Sequence, residues 1–188
     1  MLPESLARTE STLPPTSARL SLAPRSEIRP TVTMAALSDP GRTRAHNEDS
    51  YLLDQELGLA IVCDGMGGHA AGAQASAIAV RAFRDAILAG KPTLRDYIDC
   101  ENAPTEVTKH DLANLLQLAA NAASRAVHRE AQRDPAKRGM GTTLVAVLFL
   151  GTQAFIVHVG DSRIYLLRNG TLEQLTEDHN VYNEFIKK

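Results

Sequence analysis

The sequence predicts an α+β fold in which antiparallel β-sheets, stacked as a β-sandwich, are flanked by α-helices. Short apolar runs of strand length occur in groups along the chain, and two long helical patterns separate these groups. The pair Asn169-Gly170 lies between the last two runs and is typical of a tight hairpin turn. Because strands that follow one another directly tend to pair, this order favours antiparallel sheets over a Rossmann alternation.

The expected strands are apolar, rich in β-branched residues or alternating in polarity, and bounded by polar turns. This strand-like character begins at about Thr33. In chain order the runs are TVTMAALSD, SYLLD and LGLAIVCD before the helical region, and TTLVAVLFL, QAFIVHVG, SRIYLLR and TLEQL after Gly139.

The two helices are predicted from composition and spacing. The Ala-rich segment from Ala70 to Ala89 favours a helix, and Gly90 with Pro92 supplies its stop signal. A second helix is expected over residues 109–132, where apolar residues trace one stripe at helical spacing. Residues 90–109 mix Pro, Asn, Asp and Thr, so we expect a variable surface connection there.

The domain organisation follows from a change in composition. The chain has 188 residues, which suits one domain. Residues 1–32 hold five of the nine prolines together with many Ser and Thr, and they show no periodicity. This composition predicts a disordered extension, with the folded domain over residues 33–188.

Charge and cysteine content exclude several classes of function. With 20 Lys and Arg against 22 Asp and Glu, no broad cationic surface is expected, so neither nucleic acid nor membrane is an expected partner. No apolar run approaches the roughly 20 residues of a membrane-spanning helix. Cys63 and Cys100 lack CxxC spacing, which fits a cytoplasmic protein. Cys63 follows Ile61-Val62 and is interpreted as a buried hydrophobe rather than a nucleophile.

Acidic residues occur at the predicted ends of several strands. Glu48-Asp49, Asp64-Gly65 and Asp161 each stand at such a position. Taken singly, each has a structural alternative, because Asp-Gly and Asp-Ser pairs are common turn signals. Taken together, carboxylates from several strand ends are hard oxygen ligands, which favour Mg2+ or Mn2+ over zinc.

Four motifs carry a resemblance to a known family. In order, GRTRAHNED, VCDGMGGHAAG, GMGTTLV and VGDSRIYLLRNGTLEQLTEDH resemble motifs of the type 2C, metal-dependent protein serine/threonine phosphatases in their bacterial form. The resemblance covers residues from about 35 to 188. It implies an enzyme that hydrolyses phosphoserine and phosphothreonine on proteins phosphorylated by a serine/threonine kinase.

The same resemblance implies a metal site. Asp64 would bridge two Mg2+ or Mn2+ ions, and the Gly65 backbone carbonyl would contact one of them. Glu48 and Asp49 would complete the ligation directly or through water, and Asp161 would support a third, weaker position. Two such ions activate a water for in-line attack on phosphorus, so no phosphoenzyme is required.

Two further residues are expected to act on the phosphate. The Arg44 guanidinium suits two phosphoryl oxygens and is preferred to Arg42 for this role. His69 is the candidate to protonate the departing serine or threonine oxygen, because its ordinary pKa lies near neutral pH. A histidine beside glycines is also common simply at a helix start, which is the structural alternative.

The sequence departs from the family pattern near its end. The resemblance implies two more aspartates beyond the LTEDH segment, and residues 180–188 do not contain them. We therefore expect the N-terminal two-thirds of the phosphatase domain, with sheets incomplete at the C-terminal end. The alternative is a catalytically inactive relative that binds phosphoproteins or a regulatory partner.

Overall fold

The computed structural model describes residues 32–44, 46–67, 70–100 and 107–179. Their elements are, in order, β1 (Asp49–Asp54), β2 (Leu59–Met66), α1 (Ala70–Ala89), α2 (Lys91–Cys100), α3 (Lys109–Arg133), a 3-10 turn (Pro135–Lys137), β3 (Gly141–Thr142), β4 (Leu144–Leu150), β5 (Gln153–Val159), β6 (Tyr165–Arg168) and β7 (Thr171–Gln174). The extension predicted over residues 1–32 lies, apart from Val32, outside this described part.

The strands form one main sheet and one separate hairpin. The main sheet has the order β1-β2-β4-β5, and short β3 pairs with the end of β2 beyond β4. Strands β6 and β7 form the hairpin, and every pairing among the described strands is antiparallel. The expected α+β fold with antiparallel sheets and flanking helices is confirmed.

The hydrophobic core lies between the main sheet and the helices. Along β2, Leu59, Ile61 and Cys63 are fully buried, whereas the residues between them are more exposed. This period of two places alternate side chains against α1 and α3, where Phe83 and Leu112 are also fully buried. Burial raises the pKa of the Cys63 thiol to about 12, so its interpretation as a core residue is confirmed.

Most predicted elements occur where expected. Helix α1 has the predicted bounds, and α3 ends one residue later than predicted. At the turn between β6 and β7, Asn169 and Gly170 both have positive φ, 52° and 79°, as a type I′ hairpin requires. Among the described helices, none combines the length and the apolar character needed to cross a bilayer.

Two predictions were wrong. The run from Thr33 to Asp39 is not a strand, because no described strand lies beside it and Leu37 is almost fully exposed. Residues expected to form a connection instead contain α2, in which Pro92 occupies the first turn, where a missing N–H is tolerated. Packing of Leu94, Tyr97 and Ile98 against the core, at helical spacing, stabilises α2.

The core is expected to depend on Phe83 of α1. Phe83→Ala should lower the free energy of unfolding by about 3–5 kcal/mol, because a fully buried ring leaves a cavity. Urea unfolding followed by circular dichroism measures the change. Leu118→Ala on α3 is the control, since Leu118 is 60% exposed and should change stability little. Equal losses in the two variants would contradict this core.

Candidate functional site

The candidate site lies where β1 begins and β2 ends. The register of the two strands pairs Asp49 with Asp64, so their side chains project from the same face of the sheet. That face is opposite the helices, because Cys63 and Ile61 point into the core and Asp64 is exposed. Two carboxyl groups are therefore neighbours, although 15 positions of sequence separate them.

The Asp64 carboxyl has two acidic neighbours, Asp49 and Asp161, and one basic neighbour, Arg44. Burial raises the pKa of the Asp64 carboxyl, and the adjacent Asp49 carboxyl raises it further through its charge and a hydrogen bond. Arg44 opposes this rise, whereas the charge of Asp161 adds to it. Since these effects act over short distances, Arg44 and Asp161 lie at the same end of the sheet as the aspartate pair.

Two threonines hold the Asp64 backbone in place. The Asp64 N–H donates to Thr143 Oγ1 at 2.9 Å, and the Asp64 carbonyl accepts from Thr143 N at 2.9 Å and from Thr142 Oγ1 at 3.0 Å. Thr143 Oγ1 also lies 2.7 Å from Ser162 Oγ, next to Asp161. Thr143 thus links the strand that carries Asp64 to the turn that carries Asp161.

Glu48 lies against the start of α1. Its carbonyl accepts from Gly65 N at 3.2 Å and from the buried Ser76 hydroxyl at 2.6 Å. A Cβ added to Gly72 would lie 2.3 Å from Glu48 Oε2, and one added to Gly65 would lie 2.1 Å from the Gly72 carbonyl oxygen. At Gly65 the obstructing atom belongs to the α1 backbone, so only glycine permits this close approach of strand and helix, whereas at Gly72 it is the end of the Glu48 side chain.

Not all predicted site residues are brought together. Within the described ranges, no group of three or more His, Cys, Asp and Glu residues is placed to hold a metal ion. Asp49 and Asp64 form a direct pair, Asp161 and Arg44 act on Asp64 electrostatically, and the Glu48 carboxylate lies against Gly72. The remaining candidate, His69, lies outside the described residues, so its predicted role stays a prediction.

The turn that carries Asp161 is fixed by the segment that follows β7. The Arg163 guanidinium donates to both Asp178 carboxylate oxygens, at 2.9 and 2.7 Å. The His179 N–H donates to the Gly160 carbonyl at 2.9 Å, and the Gly160 N–H donates to His179 Nδ1 at 3.3 Å. These contacts join both ends of the motif VGDSRIYLLRNGTLEQLTEDH and set the position of Asp161 between them.

Sequence reasoning missed these supporting residues. Thr142, Thr143, Arg163 and Asp178 all stand inside the quoted motifs, but the two threonines carry no charge and Arg163 is paired with Asp178. The available signal was their position directly beside the acidic candidates or at the ends of strands.

The sequence of the chain matches a known protein family. Residues 41–187 match the family model described as Protein phosphatase 2C. The chain belongs to the protein phosphatase 2C family. The matched range includes Arg44, Glu48, Asp49, Asp64 and Asp161, so the aspartate pair lies within the family domain.

Named relatives are bacterial phosphatases. The chain is 37% identical over 153 residues to the serine/threonine phosphatase stp of Listeria welshimeri, covering 80% of this chain and 56% of that protein. It is 42% identical over 144 residues to the serine/threonine protein phosphatase PstP of Mycobacterium tuberculosis, covering 77% of this chain and 24% of that protein. The chain thus spans about half, or less, of these relatives.

Solved structures share the fold. The crystal structure of the Mycobacterium tuberculosis phosphatase PstP/Ppp aligns with a TM-score of 0.63 at 37% identity, over 81% of this chain and 57% of that chain. The PstP catalytic domain in complex with two manganese ions aligns with a TM-score of 0.62 at 39% identity, over 81% and 58% of the two chains.

Thr143 is expected to position Asp64. Thr143→Val keeps the shape of the side chain but removes the acceptor for the Asp64 N–H, which should cost about 1 kcal/mol of stability. The amide proton of Asp64 should also move upfield in NMR spectra. Thr143→Ser retains the hydroxyl and is the matched control. Identical spectra for the Val and Ser variants would show that this hydrogen bond is not formed.

The Arg163–Asp178 pair should make stability depend on pH. Hydrogen bonding to Arg163 lowers the pKa of the Asp178 carboxyl below its ordinary 3.8. A depressed pKa stabilises the folded chain above pH 3.8, and that contribution is lost as pH falls through the folded-state value. Wild type should therefore exceed Asp178→Asn in unfolding free energy at neutral pH, with a gap that narrows in acid.

Urea titrations of both proteins across this pH range measure that gap. Asp85→Asn on α1 serves as the control, because it removes one carboxylate from an exposed position outside this turn. A gap between wild type and Asp178→Asn that stays constant into acid would argue against the pair.

Proposed function

We propose that the domain to which this chain belongs hydrolyses phosphoserine and phosphothreonine on proteins with the help of divalent metal ions. The observation that carries the proposal is the Asp49–Asp64 pair, with Arg44 and Asp161 near it at one end of the sheet. The family match and the phosphatase names of the relatives support it. The alternative of an inactive binding domain is not favoured.

The Asp49–Asp64 pair suits a divalent cation. Two carboxyl groups held side by side repel one another when both are charged, and this repulsion is one cause of the raised pKa of Asp64. A hard cation between them would remove that cost, and oxygen ligands suit Mg2+ and Mn2+. The related PstP catalytic domain was crystallised with two manganese ions, which supports a site for two ions.

The proposed ligands are those that the sequence predicts. Asp64 would hold both ions, Asp49 one of them, and the Gly65 carbonyl would contact one of them. Glu48, whose carboxylate contacts Gly72, would act through water more readily than directly. Asp161, fixed by the turn before β6, would support a third, weaker site. When bound, such ions supply positive charge and a nucleophilic water at neutral pH.

The chain supplies its own groups for the phosphate. Arg44 is exposed and lies close enough to lower the pKa of Asp64, so its guanidinium is available to bind two phosphoryl oxygens beside the aspartate pair. His69 would give a proton to the departing oxygen. Cys63 takes no part, because it is fully buried and its pKa is raised to about 12.

The proposed substrates are proteins phosphorylated by a serine/threonine kinase in the cytoplasm. Composition supports this choice, because the near balance of 20 basic and 22 acidic residues gives no broad surface for nucleic acid or anionic lipid. Mg2+ and Mn2+ both remain candidates for the ions.

The activity test uses the domain extended to the full catalytic length of the relatives. Phosphate release from a phosphothreonine peptide should require Mn2+ or Mg2+ and stop in excess chelator. Asp64→Asn should lower kcat by roughly a hundredfold or more through loss of metal. Arg44→Ala should act mainly by raising KM for the peptide.

Asp85→Asn is the control for the loss of one carboxylate, because Asp85 is exposed on α1 and far in the fold from the strand ends. Full turnover by Asp64→Asn, or turnover that chelator does not reduce, would overturn the proposed mechanism.

A further inference from the structure

A cavity of about 450 Å3 lies beside the candidate site, between α1, α3 and the strands β3 and β4. Its size falls within the range of small-molecule sites, which hold roughly 300–1,000 Å3. The inner wall is apolar and largely made of short side chains, which leave the space open. Its buried members are Ala79, Ala120, Ala123, Val127, Met140 and Leu144.

Polar groups gather at the mouth of this cavity, and the charge there is positive. Ser124, His128 and Gln132 line one side, and Arg138 is the charged residue among the described lining residues, which include no Asp or Glu. A second hollow of about 350 Å3 adjoins it, shares Ser124 and His128, and adds Arg125 and Arg129. The mouth therefore suits an anion.

Arg138 is available to such an anion. Its neighbour Lys137 is paired with Glu130 and Asp134, whereas Arg138 is exposed and makes no ion pair within the described part of the chain. A guanidinium at the mouth of an apolar cavity recognises a carboxylate through charge-assisted hydrogen bonds.

The cavity shares a wall with the strand that holds Asp64. Met66 and Gly141 line it and pair across β2 and β3. Thr142 also lines it and donates its hydroxyl to the Asp64 carbonyl at 3.0 Å. The packing there is tight, since a Cβ on Gly67 would lie 2.9 Å from Met140 Cα. An occupant would therefore contact β3 directly, and a shift of Thr142 would pass to the Asp64 carbonyl through their hydrogen bond.

We propose that this cavity binds a small amphipathic molecule, an apolar chain or ring with one carboxylate, and that its occupation shifts Asp64 through β3. The apolar part lies among the alanines of α1 and α3, and the carboxylate contacts Arg138. The binding site stands independently of the reaction, and only its regulatory effect rests on the proposed phosphatase activity.

Decanoate is the probe, used below the concentration at which it forms micelles. In the protein labelled with 13C at methionine methyl groups, Met66 and Met140 line the cavity, and Met34 does not. Decanoate should shift the Met66 and Met140 signals with one saturating curve and leave Met34 unchanged. Octanoate should bind more weakly, by roughly fourfold for each methylene lost.

Matched ligands and variants test the role of charge. Decan-1-ol and decyltrimethylammonium carry the same chain without the negative charge and should bind at least about tenfold more weakly than decanoate. Arg138→Gln should weaken decanoate by a similar factor. Arg81→Gln should not, because Arg81 is exposed on α1 and does not line the cavity.

Three results would overturn the site: equal shifts at Met34, equal affinity for decan-1-ol, or an unchanged affinity for decanoate in Arg138→Gln.

The effect on Asp64 has its own readout. The amide signals of Asp64 and Thr143 should follow the same saturation curve as Met140, and unmoved amides would remove the coupling. Methyl shifts in an extended domain that releases no phosphate with Mn2+ or Mg2+ present would overturn the proposed function and leave the cavity intact.

Discussion

The candidate site depends on one constraint, the antiparallel register that places Asp49 opposite Asp64 at the end of β1 and β2. These carboxyl groups repel each other when both are charged, and the arrangement then persists because other interactions hold both strands. Apolar burial in the core offsets this repulsion, because alternate residues of β2 are fully buried under α1 and α3. A stable sheet thus holds together two groups that would separate in solution.

Small residues allow this arrangement. Gly65 and Gly72 bring the end of β2 and the start of α1 closer than any Cβ would permit, and Glu48 occupies the space beside them. The alanines of α1 and α3 likewise let the helices pack closely on the sheet. Further along, the same short side chains leave the cavity that borders β3. Small residues, glycine and alanine, therefore account both for the close packing at the site and for the cavity beside it.

The loops around the aspartates are fixed by hydrogen bonds rather than by apolar burial. Thr143 bonds both to Asp64 and to Ser162, and the Arg163–Asp178 pair holds the following turn. Since hydrogen-bonded loops are easier to displace than core strands, the parts of the site differ in rigidity. Asp49 and Asp64 belong to the rigid sheet, and Asp161 belongs to a turn that depends on its partners.

Local pattern in the sequence determined the helices α1 and α3, the strands β4 and β5 and the Asn169-Gly170 hairpin, because each follows from the periodicity or turn chemistry of adjacent residues. The local pattern wrongly predicted a strand at residues 33–39, where the structure has no described partner strand. It also predicted a connection where α2 forms, because Pro92 is tolerated in the first turn of a helix. The acidic candidates were recognisable by type and position. Only the tertiary structure decided that Asp49 pairs with Asp64 and that the Glu48 carboxylate lies against Gly72. It also decided that Thr143 bonds to both Asp64 and Ser162. Register and packing between distant segments set these contacts, and local sequence pattern does not specify them.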